Sequence, residues 1–499
     1  MNQKNRRKAI AIRSFTYGVM TLAVFLGVAF ALSWAMGFRF DFKSGQISQV
    51  ALMQFDSFPQ GANVSVNGVL LSGQTPSRLN VDTGKKSIKI SLKGYREWSA
   101  ETDANPSAVV WMNYARLVPT NVRTSSVKTF ADTNGAGMLA SPDKNRILLW
   151  NSQNSRDFSL ADISDPTKPK FKDLQIDSGK ILPLAEAQIE KFTPVEWDLS
   201  SRYLLVQHDI FSPDGNLANS EFVEIDTQNN GWNGSNSRSL TKDFSVGLSA
   251  PHFSGNSGNV FFAMTGSDVR KLDYGNNSIS SPLASNVIDY KLYGSNIFSY
   301  VSRNSDADGK VFQNVGIFND GKVIDALKFD DDLPTKAVFS TDEGADYLAV
   351  SRKTDDGSKI MIYAQPLENA NNFAKIKPSM INTLPDVNLL TSSPSGRLIV
   401  SANGQNISVY DIETGRQYFY EMNSPQSNLI WLDSYHLLDN SQDAFYMVDF
   451  SGQNRQKITN GYGVASLSAD GKFMFSLSDK KQDDGRSNTD FQSSAMTIN

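Results

Sequence analysis

The longest apolar run lies at the start of the chain, where no charged residue interrupts Ser14 to Phe38 and Leu, Val, Phe and Ala fill most positions. As a helix this run is about 37 Å long at 1.5 Å per residue, enough to cross a hydrocarbon core of roughly 30 Å. Beyond it the hydrophobic period shortens. Val64 and Val66 alternate with Ser65 and Asn67, and Ile88, Ile90 and Leu92 alternate with Lys89, Ser91 and Lys93, which predicts half-buried strands. Pro59 and Gly61, Asn67-Gly68, Gly73 with Thr75-Pro76, Gly84, and Gly94-Tyr95 punctuate these runs as turns. A small β-sandwich is expected here, after a short spacer holding the strand-like segment Ile47 to Phe55.

From about Val122 a repeat takes over, a small polar turn followed by an apolar strand. Ser141-Pro142-Asp143-Lys144-Asn145 precedes Ile147 to Trp150, Ser200-Ser201 precedes Tyr203 to Val206, and Phe253 to Asn256 precedes Val260 to Phe262. Phe339 to Gly344 leads to Tyr347 to Val350, Ser393 to Arg397 leads to Leu398 to Val400, and Ser468 to Lys472 leads to Phe473 to Phe475. Degenerate copies fall at Tyr293 to Phe298 and Trp431 to Leu438. A third strand commonly follows, ending near an Asp-x-x-x-Gly turn such as Asp411 to Gly415. After the last turn only Phe473 to Leu477 and Ala495 to Ile498 remain as obvious strands. Val122 to Phe130 is therefore expected to supply the missing outer strand and lock the array.

Two resemblances follow from these residues. Pro59-Gln60-Gly61-Ala62, Val64 to Gly68, Thr75-Pro76, Leu79, Gly84 and Lys93-Gly94-Tyr95 together resemble the PEGA domain, with Gln60 in place of the Glu of the name-giving turn. PEGA domains occur in extracytoplasmic and surface-associated bacterial and archaeal proteins, as spacers or binding modules. The resemblance thus implies a surface protein of bacterial type and brings no catalytic residues. The Ser-x-Asp-Gly-Lys/Arg turns resemble those of TolB-like and WD-repeat-like β-propellers, which implies a ring of seven or eight blades, eight being the fuller count. The fold class expected is all-β with an N-terminal transmembrane helix. Its segments are a tail (1–13), a signal anchor (14–38), a spacer (39–54), a PEGA-like domain (55–102), a linker (103–121) and a β-propeller (122–499).

Charge sets the orientation. Lys4, Arg6, Arg7, Lys8 and Arg13 precede the apolar run and Arg39, Asp41 and Lys43 follow it, so the positive-inside rule keeps the N-terminus cytoplasmic and the bulk of the chain extracytoplasmic. Ala29-Phe30-Ala31 offers a small-x-small cleavage pattern, but the run exceeds an ordinary signal-peptide core, and an uncleaved anchor is expected. A net charge of −4 gives no cationic field for nucleic acid, and the lack of cysteine removes disulfides, thiolate metal sites and a cysteine nucleophile.

Candidate chemistry is sparse. His208, His252 and His436 fall in different repeats with no metal-ligand spacing, and there is no G-x-S-x-G elbow, phosphate loop or dinucleotide fingerprint. A prolyl peptidase would need a hydrolase domain beyond the last repeat, and the chain ends where that domain would start. Asn304-x-Asp306-x-Asp308-Gly309 places oxygen ligands at alternate positions, like the first half of a calcium loop. Val315 stands where an EF-hand needs its glutamate, which leaves a calcium hairpin or a solvated turn like Asp355-Asp356-Gly357. No other cofactor is expected.

Two functional classes remain. One is a non-enzymatic, membrane-tethered binding or scaffold protein whose ring takes a protein, peptide or cell-wall glycan, with the PEGA unit as spacer or adaptor. The other is an envelope-polymer hydrolase or lyase with a carboxylate site on the ring, for which Glu196, Asp198 and Asp209 lie in one repeat. The absence of a catalytic motif favours the first.

Overall fold

The computed structural model describes residues 3–35, 37–40, 47–130, 135–228, 232, 234–423, 429–441, 443–481 and 487–498. Residues 41–46 of the expected spacer lie outside them. The chain divides into two units, Met1–Asn121 with Thr497–Asn499, and Val122–Met496.

In the first unit, α1 (Gln3–Ala35) contains a segment, Arg13–Ala35, that is long and apolar enough to cross a membrane and is not buried by protein. The helix stops at Ala35, short of Phe38. Gly37 takes a left-handed φ of +78° and donates its N–H to the Trp34 carbonyl, and a Cβ there would lie 2.8 Å from the Val50 carbonyl oxygen. The chain then enters β1 (Phe38–Phe40), antiparallel to β2 (Ile47–Phe58).

Next come β3 (Asn63–Val66), β4 (Val69–Gln74), β5 (Ser77–Asp82), β6 (Gly84–Ser91), β7 (Trp98–Ala104) and β8 (Val109–Arg116). One sheet runs β4-β3-β6-β7, and the other joins β1, β5 and β8 to β2. Val64, Val66, Ile88 and Ile90 point inward as their alternation predicts, onto Met53, Phe55 and Trp98. The sandwich is longer at both ends than residues 55–102. β2 begins within the expected spacer, and the expected linker carries β8, which pairs in parallel with β2 and sends Met112 and Ala115 into the core, joined by Leu117 just past its end. The pattern of β8 is hard to read in sequence because Val109 and Trp111, on its outer face, are also apolar and stay exposed.

Among the described residues the second unit contains eight four-stranded antiparallel sheets, numbered 1 to 8 in chain order. Their first strands are Gly137–Ala140, Ile189–Trp197, Ser249–Phe253, Val287–Tyr293, Thr335–Asp342, Leu389–Ser392, Ile430–Trp431 and Tyr462–Leu467. Each repeat turn joins the first strand of a sheet to its second. Apolar layers fill the spaces between successive sheets, as where Leu148, Leu160 and Leu174 meet Phe192, Leu204 and Val223. Met138, Ile147 and Leu149 of sheet 1 pack on Phe475, Leu477 and Phe491 of sheet 8, which closes the ring.

Sheet 8 is built from both ends of the unit. Its strands Tyr462–Leu467, Phe473–Lys481 and Ser487–Ala495 are completed at the outer edge by Thr124–Phe130. The third of these strands starts well before the expected Ala495, because its residues Ser487 to Asp490 are polar and give no strand signal.

Candidate functional site

The repeat turns hold themselves and the ring together. Within sheet 8, Asp470 accepts from the Lys472 N–H at 3.1 Å and Ser468 Oγ from the Phe473 N–H at 3.1 Å. Between sheets, the Asp143 N–H donates to Ser201 Oγ, Ser254 Oγ donates to the Ser295 carbonyl, and Ser340 Oγ donates to the Gly396 carbonyl. Gly396 sits at φ +86°, and a Cβ there would overlap the Thr341 carbonyl, so this turn tolerates only glycine.

A second repeated device was missed in the sequence. The cation after the turn pairs with the aspartate that ends the third strand: Arg202 with Asp226 at 3.0 and 2.7 Å, and Arg397 with Asp411 at 2.8 and 2.7 Å. His436 takes the same place in sheet 7, its Nδ1 2.7 Å from Asp433 and its Nε2 3.3 Å from Asp449. The available signal was a basic residue directly after Ser201, Gly396 or Tyr435.

With the turns committed to structure, the first strands offer one surface to a ligand. Those of sheets 4, 5 and 6 touch in series, as do those of sheets 8 and 1. Lys291, on sheet 4, donates from Nζ to the Leu390 carbonyl of sheet 6 at 2.9 Å, past the first strand of sheet 5. These strands therefore line a common axis. Their charges are divided unevenly. Every Asp, Glu, Lys and Arg on them belongs to sheets 2, 4 and 5, including Glu196, Asp289, Lys291 and Lys336, and His252 lies on sheet 3, whereas the first strands of sheets 6, 7, 8 and 1 carry none of these residue types.

On the charged side, Glu196 Oε2 lies 2.9 Å from His252 Nδ1 and Glu196 Oε1 accepts from the Phe253 N–H, which ties sheet 2 to sheet 3. Burial raises the pKa of Asp289, against the pull of Lys291 and Lys336, and burial lowers that of Lys291, against the pull of Asp289. Burial likewise pushes the Tyr290 phenol up, and its hydroxyl donates to the Ala250 and Phe262 carbonyls. Exposed Val195 and Ile288 lie among these polar groups, and exposed Val464 lies on the uncharged first strand of sheet 8.

The three carboxylates grouped by their place in one repeat, Glu196, Asp198 and Asp209, do not converge. Asp198 is fully buried and accepts from the Arg202 and Tyr203 N–H groups of its own turn, while Asp209 pairs with Gln207 and Ser220. His208 is buried in sheet 2, with Nδ1 2.7 Å from Glu221 and Nε2 3.3 Å from Glu190, and stacks on Phe192. In the hairpin of sheet 4, Asp306 Oδ1 accepts from the Asp308 and Lys310 N–H groups at 3.0 and 2.9 Å, and Asn304 Oδ1 accepts from Asn286. Asn304 and Asp306 thus serve separate local bonds, and Asp308 contributes its N–H to the turn. Among the described residues no group of three or more His, Cys, Asp or Glu side chains is placed to hold a metal ion.

A nearly all-β chain with an N-terminal apolar helix and a ring of four-stranded sheets is a β-propeller protein. It also carries a PEGA domain, the family matched by residues 52–121. No curated protein sequence matches the chain. Among solved structures it is similar to dipeptidyl peptidase 4 of Porphyromonas gingivalis, at 11% identity and TM-score 0.44 over 72% of this chain, and it spans 57% of that protein's length. It is also similar to Hsv2 of Kluyveromyces lactis, at 9% identity and TM-score 0.34, covering 72% of this chain and 99% of that one. A eukaryotic initiation factor matches at 14% identity and TM-score 0.38, over 77% and 96% of the two chains. These likenesses are of fold alone.

Proposed function

We propose that this chain is a membrane-tethered, extracytoplasmic binding protein. In this reading α1 is the anchor, the PEGA domain is a spacer or adaptor, and the ring takes a protein, a peptide or a cell-wall glycan. The observation that carries it is the divided axial surface, where the first strands of sheets 2, 4 and 5, with their charged residues, and of sheet 3, with His252, oppose uncharged ones in sheets 6, 7, 8 and 1. Such a surface offers complementary charge to one side of a bound segment and apolar contact to the other. Photo-crosslinking of the full-length protein in its membrane, followed by identification of the captured species, tests this. Lys336→Glu is expected to cut capture at least about tenfold with little change in melting temperature. Undiminished capture would mean that the axial surface is not the binding face.

One observation supports the enzymatic alternative, an envelope-polymer hydrolase or lyase. Glu196 orients the half-exposed His252 imidazole, an arrangement that suits a general base. If envelope polymers are cleaved, His252→Gln abolishes turnover while leaving the ring folded. If His252→Gln leaves any cleavage unchanged, that reading fails.

A further inference from the structure

The apolar layer between sheets 5 and 6 does not run their full height. At one level Ile399 and Tyr410 of sheet 6 pack on Val338, Ala349 and Ile362 of sheet 5. Farther along, the same face of sheet 6 turns small and polar. The strand register places Ser401 opposite Ser408 and Ser408 opposite Phe419, and in the next row Asn403 opposite Asn406 and Asn406 opposite Glu421. Residues directly opposite in antiparallel strands, and those two apart along a strand, project from one face. The six side chains therefore form a grid, with two hydroxyls and a phenyl in one row and two amides and a carboxylate in the other.

Leu384 and Pro385, which end sheet 5 and begin its connection to sheet 6, wall the side of this grid and leave a recess of about 300 Å³. Phe419 is 58% exposed at its rim. Ser408 Oγ accepts from Gln417, whereas among the described residues nothing hydrogen-bonds the side chains of Ser401, Asn403, Asn406 or Glu421.

We propose that this recess binds a neutral saccharide. An apolar ligand would bury amides and a carboxylate without partners, at a cost that a sugar's dense hydroxyls remove. An anionic ligand would meet Glu421 with no lining cation to balance it. The exposed Phe419 ring offers a flat apolar face to the C–H side of a pyranose, and the hydroxyls, amides and carboxylate meet its polar edge. The volume is at the small end for a ligand pocket and limits the occupant to one or two rings. The site is separate from the axial surface and does not rest on the reading given for it.

The test is calorimetric titration of the full-length protein, in a detergent without a sugar headgroup, with N,N′-diacetylchitobiose and with cellobiose. At least one is expected to bind. Phe419→Ala and Glu421→Gln should each weaken that binding by about tenfold or more, with the melting temperature unchanged because both side chains are exposed. Failure of both disaccharides to bind, binding that survives Phe419→Ala, or binding of choline in place of either sugar would overturn the proposal.

Discussion

His436 holds a charge inside the ring. Burial alone would lower its pKa, but Asp433 and Asp449 more than reverse that effect and raise it to about 9, from 6.5 in a free side chain. Because the folded value is the higher one, the protonated imidazole contributes its full stabilisation below pH 6.5, and that contribution is lost as the pH rises through about 9. The expected size is on the order of 3 kcal/mol. Melting curves of wild type and His436→Asn should therefore differ widely at pH 6 and draw together by about pH 10. A gap independent of pH would contradict the assignment. Arg397 and Asp411 make a similar argument without a titration. Arg397→Met leaves a buried carboxylate unpaired and should cost about 3–5 kcal/mol in urea unfolding, much of which Asp411→Leu should restore when added.

At the scale of elements, the closure of sheet 8 is the critical joint. Phe491 is fully buried, stacks on Phe475 at 5.5 Å and meets Phe171 of sheet 1 edge-on. Phe491→Ala should cost about 3–5 kcal/mol, and deletion from Ser494 onward should lower the melting temperature sharply. An unchanged melt in the truncated protein would mean that the ring does not depend on this joint. In sheet 4, Asp306 already holds two backbone amides, so Asp306→Ala should cost about 1 kcal/mol, and millimolar calcium should leave the wild-type melt in place. A calcium-dependent shift that disappears in Asp306→Ala would assign the hairpin to the metal instead.

Much of this level was legible in sequence. The Ser/Asp/Gly turns are local chemistry that a short stretch of residues specifies by itself, and the strand Val122 to Phe130 stood out because the last repeat lacked a partner. β8 and the strand Ser487–Ala495 were harder to read. Both are defined by what they pair with across long separations, and their side chains lack clean alternation.

For the molecule as a whole, the candidate site was less legible than the fold. The polar residues of the first strands sit a few residues before each turn, in Glu196, His252, Lys291 and Lys336, but only the ring shows that they share an axis. The grid on sheet 6 depends in the same way on register, which turns scattered serines and asparagines into one face. The proposed function of the axial surface requires the ring to stand on the extracytoplasmic side of the membrane, which is its central claim.

The absence of cysteine makes that claim directly measurable, since any introduced thiol is the only one in the chain. Lys168→Cys, on an exposed turn of sheet 1, and Asn5→Cys, ahead of the apolar run, can be probed with a membrane-impermeant maleimide in sealed right-side-out vesicles. The prediction is that Lys168→Cys reacts at once and Asn5→Cys only after the vesicles are opened. The reverse order would place the ring in the cytoplasm and contradict the proposed function.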